Sequence, residues 1–298
     1  MLWIPLALGA HALWGLACIG DKFIVGNRIK NIFVYFVLTD IIGLFSLALL
    51  PFIDFAWPEW AVMRWVILAG VGYTLGIICY FKALEIEEVS RINIWWNLIP
   101  LFTLGLAWVT IGEKLNSGQL LALTLLLGGA ILASLHFGGR QVVFSRALFW
   151  MVLACLESAG YVVMVRYITQ YVSFSSLFVL ISVIKLLVSL VFFAWRPFRR
   201  DFTATVKSMS APLFGMVAAA TFIDYAGILL NQWALSLGPA ALVLSLEGFQ
   251  ALFVFAVSAL ISRYRPEALR EETDRRNLLL KLAATACVAA GVIVLAFA

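Results

Sequence analysis

The sequence predicts an all-α polytopic membrane protein, with ten transmembrane helices arranged as two inverted five-helix repeats. Three observations predict this class. The 298-residue chain is 64% hydrophobic and 12% charged, against roughly 25% charged in an average soluble domain, and its mean hydropathy is +1.03. Ten apolar segments reach the length of about 20 residues that a helix needs to cross a bilayer. The two halves of the chain also align with each other in order. A soluble globule of this length cannot bury so much apolar surface. A disordered chain is excluded by 23 Phe and 11 Trp with few charges.

The spans fall at about 2–21, 31–51, 61–82, 91–112, 117–138, 146–168, 174–195, 211–235, 240–262 and 278–298. The first has no Lys or Arg before its apolar stretch, which is too long for a signal-peptide core, so it reads as an uncleaved helix. Gly26-Asn27 follows it, and Asp54 to Pro58 separates the second span from the third. Gly112-Glu113-Lys114-Leu115-Asn116 closes the fourth, Gly138-Gly139-Arg140 the fifth, Arg196-Pro197 the seventh and Gly238-Pro239 the eighth. Gly, Pro and charge collect at these breaks because the backbone there leaves the helical ladder and must reach water. The longest polar stretch, 263–277, is too short to fold alone, and its Glu/Arg spacing suits a short solvated helix.

Trp14-Gly15 to Lys22 overlies Ser158-Ala159 to Arg166 at an offset of 144. Gly76-Ile77 and Ala83-Leu84 overlie Gly227-Ile228 and Ala234-Leu235 at 151, and Gly129-Ala130-Ile131-Leu132 overlies Gly291-Val292-Ile293-Val294 at 162. The halves are 1–139 and 140–298. Each holds five spans, an odd number, so the second enters the membrane from the opposite side. That plan recurs in secondary transporters, where a midplane site opens alternately to the two sides.

Ten spans in two fives resemble the drug/metabolite transporter superfamily in its EamA-type branch. The residues that carry the resemblance are Trp14-Gly15, Ala83-Leu84, and Pro100 followed by Gly112-Glu113-Lys114-Leu115. The second half lacks a matching Gly-Glu and has Ser262-Arg263-Tyr264-Arg265-Pro266 instead. The resemblance implies export or exchange of small metabolites, amino acids or drugs. It also implies a central cavity lined by spans 1, 3, 4, 6, 8 and 9.

Charged side chains at mid-bilayer are costly and mark candidate functional positions. Asp40, Glu157, Lys185 and Asp224 lie near the middle of their spans, and Glu247 lies about a third of the way along the ninth. Asp40 and Lys185 hold nearly equivalent places in the two halves and form either an ion pair or part of a coupling site. One lysine cannot neutralise four acids. The surplus acids therefore carry protons or face water and a cationic solute, which points to proton coupling or to a cationic substrate. Glu113, at a helix end, reads as a cap or a partner of Lys114.

Around the acids lies a polar and aromatic set. Asn93, Trp96 and Asn97 form one turn at the start of span four. Trp14, Tyr73, Tyr80, Tyr161, Asn231 and Gln250 complete the expected solute-binding residues, with Glu157, Asp224 and Glu247 among them. Aromatic walls beside carboxylates suit an organic cation. Trp3, Trp57, Trp60, Trp65, Trp108, Trp150 and Trp195 read as an interfacial belt.

No enzyme signature is present. His11 and His136 are the two histidines, with no HExxH, Gly-x-Ser-x-Gly or Walker-type loop. His11 reads as a packing donor, and Cys18, Cys79, Cys155 and Cys287 as small apolar side chains. No cofactor, metal or nucleic acid is expected. The partners are a small solute and the lipid bilayer, with the chain a monomer or homodimer. A membrane scaffold with paired acids and a dry centre, or a channel, are the alternatives.

The loops after spans 1, 3, 5, 7 and 9 and their edges hold 17 of the 21 basic residues, from Lys22 to Lys281, while the other side has Arg64, Lys114 and Arg166. Basic loops stay cytoplasmic. This count predicts both termini outside a bacterial cytoplasmic membrane, opposite to the usual orientation of the family.

Overall fold

A computed structural model of the chain describes residues 2–29, 31–86, 92, 95–112, 114–134, 146–246 and 248–250, together with 253–254, 256–257, 260, 283, 286–287, 289–291, 293–294 and 297. All regular structure among the described residues is helical. The helices are α1 (Trp3–Asn27), α2 (Ile32–Gly43), α3 (Trp60–Ile86), α4 (Ile99–Ile111), α5 (Ser117–Ser134), α6 (Arg146–Ile168), α7 (Phe174–Ser189), α8 (Arg196–Ser208), α9 (Ala211–Leu237) and α10 (Ala240–Ser245). Short 3-10 segments extend α2 (Leu44–Phe52) and α7 (Leu190–Ala194), and another (Trp96–Leu98) leads into α4.

Six stretches are long and apolar enough to cross a membrane: Trp3–Val25, Ile32–Phe52, Trp60–Ile86, Arg146–Ile168, Phe174–Ala194 and Ala211–Leu237. They coincide with the first, second, third, sixth, seventh and eighth expected spans. Shorter apolar helices stand at the fourth, fifth and ninth, and isolated helical residues between 283 and 297 stand at the tenth. The remainder of those four spans, and the polar loop 263–277, lie outside the described residues.

Helix ends follow local chemistry. The Asn31 side chain accepts from the Phe33 amide at 3.1 Å and opens α2, and Ser173 accepts from Ser176 at 3.2 Å to open α7. Such caps satisfy amides that have no partner inside the helix. Gly112 closes α4 with φ +66°, a left-handed turn that suits glycine.

Two pairs of long helices make the most extensive contacts: α1 runs along α9, and α3 along α6. Small residues bring the axes close, as interhelical contacts in a bilayer require. A Cβ at Gly227 on α9 would stand 2.8 Å from the Trp14 indole nitrogen and 3.3 Å from the Ala10 carbonyl oxygen. Outward-facing Leu75, Phe149, Val109 and Leu187 are exposed along the flanks, where hydrocarbon tails would cover them.

Two features depart from the sequence reading. Residues 196–208, expected as a loop, form the amphipathic helix α8. Phe198 is buried against Phe192, Phe193 and Phe202, while Arg196, Arg199, Arg200 and Lys207 are exposed. Apolar side chains four apart on an otherwise polar helix make a surface element with one docked face. The second is Trp3, assigned to the belt but only 7% exposed. Gly238 lets the chain pass over the Trp3 ring, where a Cβ would come within 2.6 Å. Trp57, Trp60, Trp108 and Trp195 are by contrast exposed.

Candidate functional site

Side chains from α1, α2, α3, α6, α7 and α9, with Trp96, Ile99 and Gln250, line one cavity. The empty space within it is about 1060 Å³, open solvent included. Helical periodicity puts the lining there. Trp14, Ala17, Cys18 and Asp21 form one stripe of α1, Tyr73, Ile77, Tyr80 and Phe81 one stripe of α3, and Thr221, Asp224, Ile228 and Asn231 one stripe of α9.

Four charged groups meet in this space: Asp21, Asp40, Asp224 and Lys185. Lys185 Nζ lies 3.6 Å from Asp40 Oδ1, an ion-pair distance, and both side chains are nearly inaccessible. The same ammonium sits 4.3 Å from the Tyr73 ring centre and 4.6 Å from that of Tyr225. Two aromatic faces and one carboxylate thus enclose the lysine. Asp21 accepts a hydrogen bond from Tyr35 Oη at 2.5 Å. Asp224 lies within electrostatic range of Lys185 and has the Trp14 indole N–H beside it. Asp21 and Asp40 both lie within electrostatic range of Asp224.

The aromatic groups are locked to one another. Tyr73 meets Tyr161 edge-on at 5.0 Å, and Tyr80 lies 5.4 Å from Trp96. Gln232 Nε2 donates to Tyr161 Oη at 2.9 Å, and Tyr80 Oη lies 3.3 Å from Cys18 Sγ. His11, fully buried, places Nδ1 3.3 Å from Gln250 Oε1 and Nε2 3.2 Å from the Val243 carbonyl oxygen. Its ring also meets Trp14 edge-on at 5.4 Å, so it joins α1 to the segment that begins with α10.

Of the residues singled out in the sequence, Trp14, Asp40, Tyr73, Tyr80, Trp96, Tyr161, Lys185, Asp224, Asn231 and Gln250 line the cavity. Glu157 is not among them; its carboxyl group lies over Gly72 and Gly76 of α3. Asn93, Glu113 and Glu247 fall outside the described residues, and of Asn97 only the backbone is described. No group of three or more His, Cys, Asp or Glu side chains suited to a metal ion occurs among the described residues.

Sequence reasoning missed Asp21, Tyr35, Thr39 and Ser158. Asp21 borders Lys22 at the edge of the first apolar window and so reads as a loop charge. Its signal was the spacing Trp14, Cys18, Asp21, which continues one helix face into a helix that runs on to Asn27.

Three comparisons bear on this site. A search of curated proteins gives no significant match. Among solved structures 28 chains match. One crystal structure aligns with a TM-score of 0.63 at 18% identity, over 97% of this chain and 94% of that one. At that identity the likeness is one of fold. A family match covers the part of the chain where Trp14-Gly15, Ala83-Leu84 and the Pro100 to Gly112 stretch reside: residues 1–135 match the EamA-like transporter family, within the drug/metabolite transporter superfamily.

Proposed function

We propose that the protein is a secondary transporter that carries a small organic cation across the membrane by alternating access through this cavity. The observation that carries the reading is the charge balance of the lining. Asp21, Asp40 and Asp224 face one ammonium group, and Lys185 is already held by Asp40, Tyr73 and Tyr225. Two carboxylates remain beside Trp14, Tyr73, Tyr80, Trp96 and Tyr161. That is the chemistry of an ammonium site, where ring faces and carboxylates replace water around the cation. An amino acid would also need a cation for its carboxylate, and Lys185 is committed elsewhere.

Asn231 Oδ1, on the cavity lining, is buried without a hydrogen-bond partner among the described residues. Buried polar atoms need partners, so this oxygen favours a wet cavity over the dry centre of a scaffold. The architecture we propose is ten helices in two inverted halves. Under the repeat, α1 exchanges with α6 and α3 with α9, so the two main helix pairs exchange with each other. Asp40 and Lys185 exchange likewise, and they meet. Rocking of one half on the other then opens the cavity to either side.

With the basic loops and α8 on the cytoplasmic side of a bacterial inner membrane, both termini lie outside. A reporter active only in the cytoplasm, fused after Ala298, stays dark in that orientation, and strong signal reverses it. The transport reading is tested in proteoliposomes by counterflow of labelled phenylethylammonium. Exchange by wild type that Asp224→Asn abolishes, with the variant still monodisperse, supports it. Equal exchange by the two proteins contradicts it.

A further inference from the structure

Glu157 lies at the middle of α6, beside the cavity but outside it, and among the described residues no cation acts on its carboxyl group. Its carboxyl group rests on α3 at Gly72 and Gly76, one helical turn apart. A Cβ at Gly72 would come within 2.6 Å of Glu157 Oε1, and one at Gly76 would overlap Oε2. The two glycines form a slot that a carboxyl group fills. The slot walls are helical backbone, whose amides are spent on their own ladder. Oε1 is buried without a hydrogen-bond partner among the described residues.

The nearby cations are engaged elsewhere. Lys185 is paired with Asp40, and Lys82 Nζ lies 4.4 Å from the Trp150 ring centre. Among the described residues, the titratable groups within electrostatic range of Glu157 are Cys79 on α3 and Tyr161 on α6, and neither supplies a positive charge. Residues 96–111 and α10 contain no titratable side chain. From α9, Gln232 and Asp224 reach Tyr161 instead. Inside a bilayer an ionised carboxylate with a buried, unpartnered oxygen is strongly disfavoured, whereas a neutral carboxylic acid fits the slot.

We infer that Glu157 in the Gly72–Gly76 slot is a proton-binding site distinct from the solute site, and that opening of the α3–α6 contact releases its proton. Ser158 and Tyr161, next to it and one turn on, already line the cavity. A small separation of α3 from α6 brings the carboxyl group to cavity water. There its O–H bond breaks, the carboxylate remains and the proton passes to water. The binding site stands on this geometry, and its use in coupling rests on the transporter reading.

Infrared difference spectroscopy of the purified protein, titrated from acid to alkaline pH, tests the site without any solute. The wild type should show a protonated-carboxyl carbonyl band that Glu157→Gln removes. An unchanged band in that variant overturns the site. If Glu157→Gln does not fold, Glu157→Asp should shift the band, and an unshifted band overturns the site equally. The coupling is read in proteoliposomes as phenylethylammonium uptake driven by a pH gradient. Loss of gradient-driven uptake in the Glu157 variant supports coupling, and its persistence overturns coupling. A wild type that shows the band but takes up no phenylethylammonium keeps the proton site and refutes the carrier reading.

Discussion

The α1–α9 and α3–α6 contacts are built on the same backbone plan and carry different chemistry. In each, a glycine lets a partner side chain lie against the helix: Gly227 receives Trp14, and Gly76, which aligns with Gly227 in the repeat we propose, receives Glu157. At α1–α9 the guest is an indole that reaches the Asp224 carboxylate beside the cavity. At α3–α6 the guest is itself a carboxyl group, whose Oε1 meets no donor among the described residues. Equivalent slots thus separate two tasks. One steadies an acid that faces the cavity, and the other holds an acid away from it.

The largest effect that would break this comparison lies at the charge pair between the two contacts. Lys185→Met leaves Asp40 buried without a cation, which should cost about 3–5 kcal/mol in unfolding of the detergent-solubilised protein. Adding Asp40→Asn should recover much of that loss. A stable single variant would show that the pair is not a packing element. Next is Asp224→Asn, which removes a charge-assisted contact worth about 1.5–3 kcal/mol, a loss of roughly ten- to hundredfold in affinity for phenylethylammonium by calorimetry.

Gly227→Ala places a methyl group against the Trp14 ring and the Ala10 carbonyl. Overpacking of this kind costs about 1–3 kcal/mol. Gly160→Ala, with nothing within 4 Å of the added Cβ, should stabilise by about 0.5–1 kcal/mol. Equal thermal shifts for the two variants would remove the close-approach argument. The smallest effect is expected for Tyr80→Phe, which deletes the contact with Cys18 and should cost about 0.5–1.5 kcal/mol, read from the same melts.

How far the sequence carried can be judged from particular residues. Spans of about 20 apolar residues flanked by Gly, Pro or charge located six helices long and apolar enough to cross a membrane, because bilayer thickness and backbone hydrogen bonding act locally. The sequence offered an ion pair of Asp40 and Lys185 as one of two readings, from nearly equivalent places in the proposed repeat, and the two side chains lie 3.6 Å apart. The helix α8 was hidden because a polar stretch after Pro197 matches both a loop and a surface helix, and the Phe198–Phe202 spacing is only one turn long. Asp21 was hidden by its neighbour Lys22, since a window of apolar residues ends at the first charge whether or not the helix does. The burial of Trp3 depends on the approach of Gly238, 235 positions away, which no local pattern encodes.

The central claim is that the cavity selects positive charge. Isothermal titration of the purified protein with three ligands of similar shape tests it directly: phenylethylammonium, phenethyl alcohol and phenylacetate. The account predicts heat of binding for the ammonium compound, little for the alcohol and none for the carboxylate, with the ammonium signal lost in Asp224→Asn. Binding of phenylacetate, or equal binding of the alcohol and the ammonium compound, would contradict it.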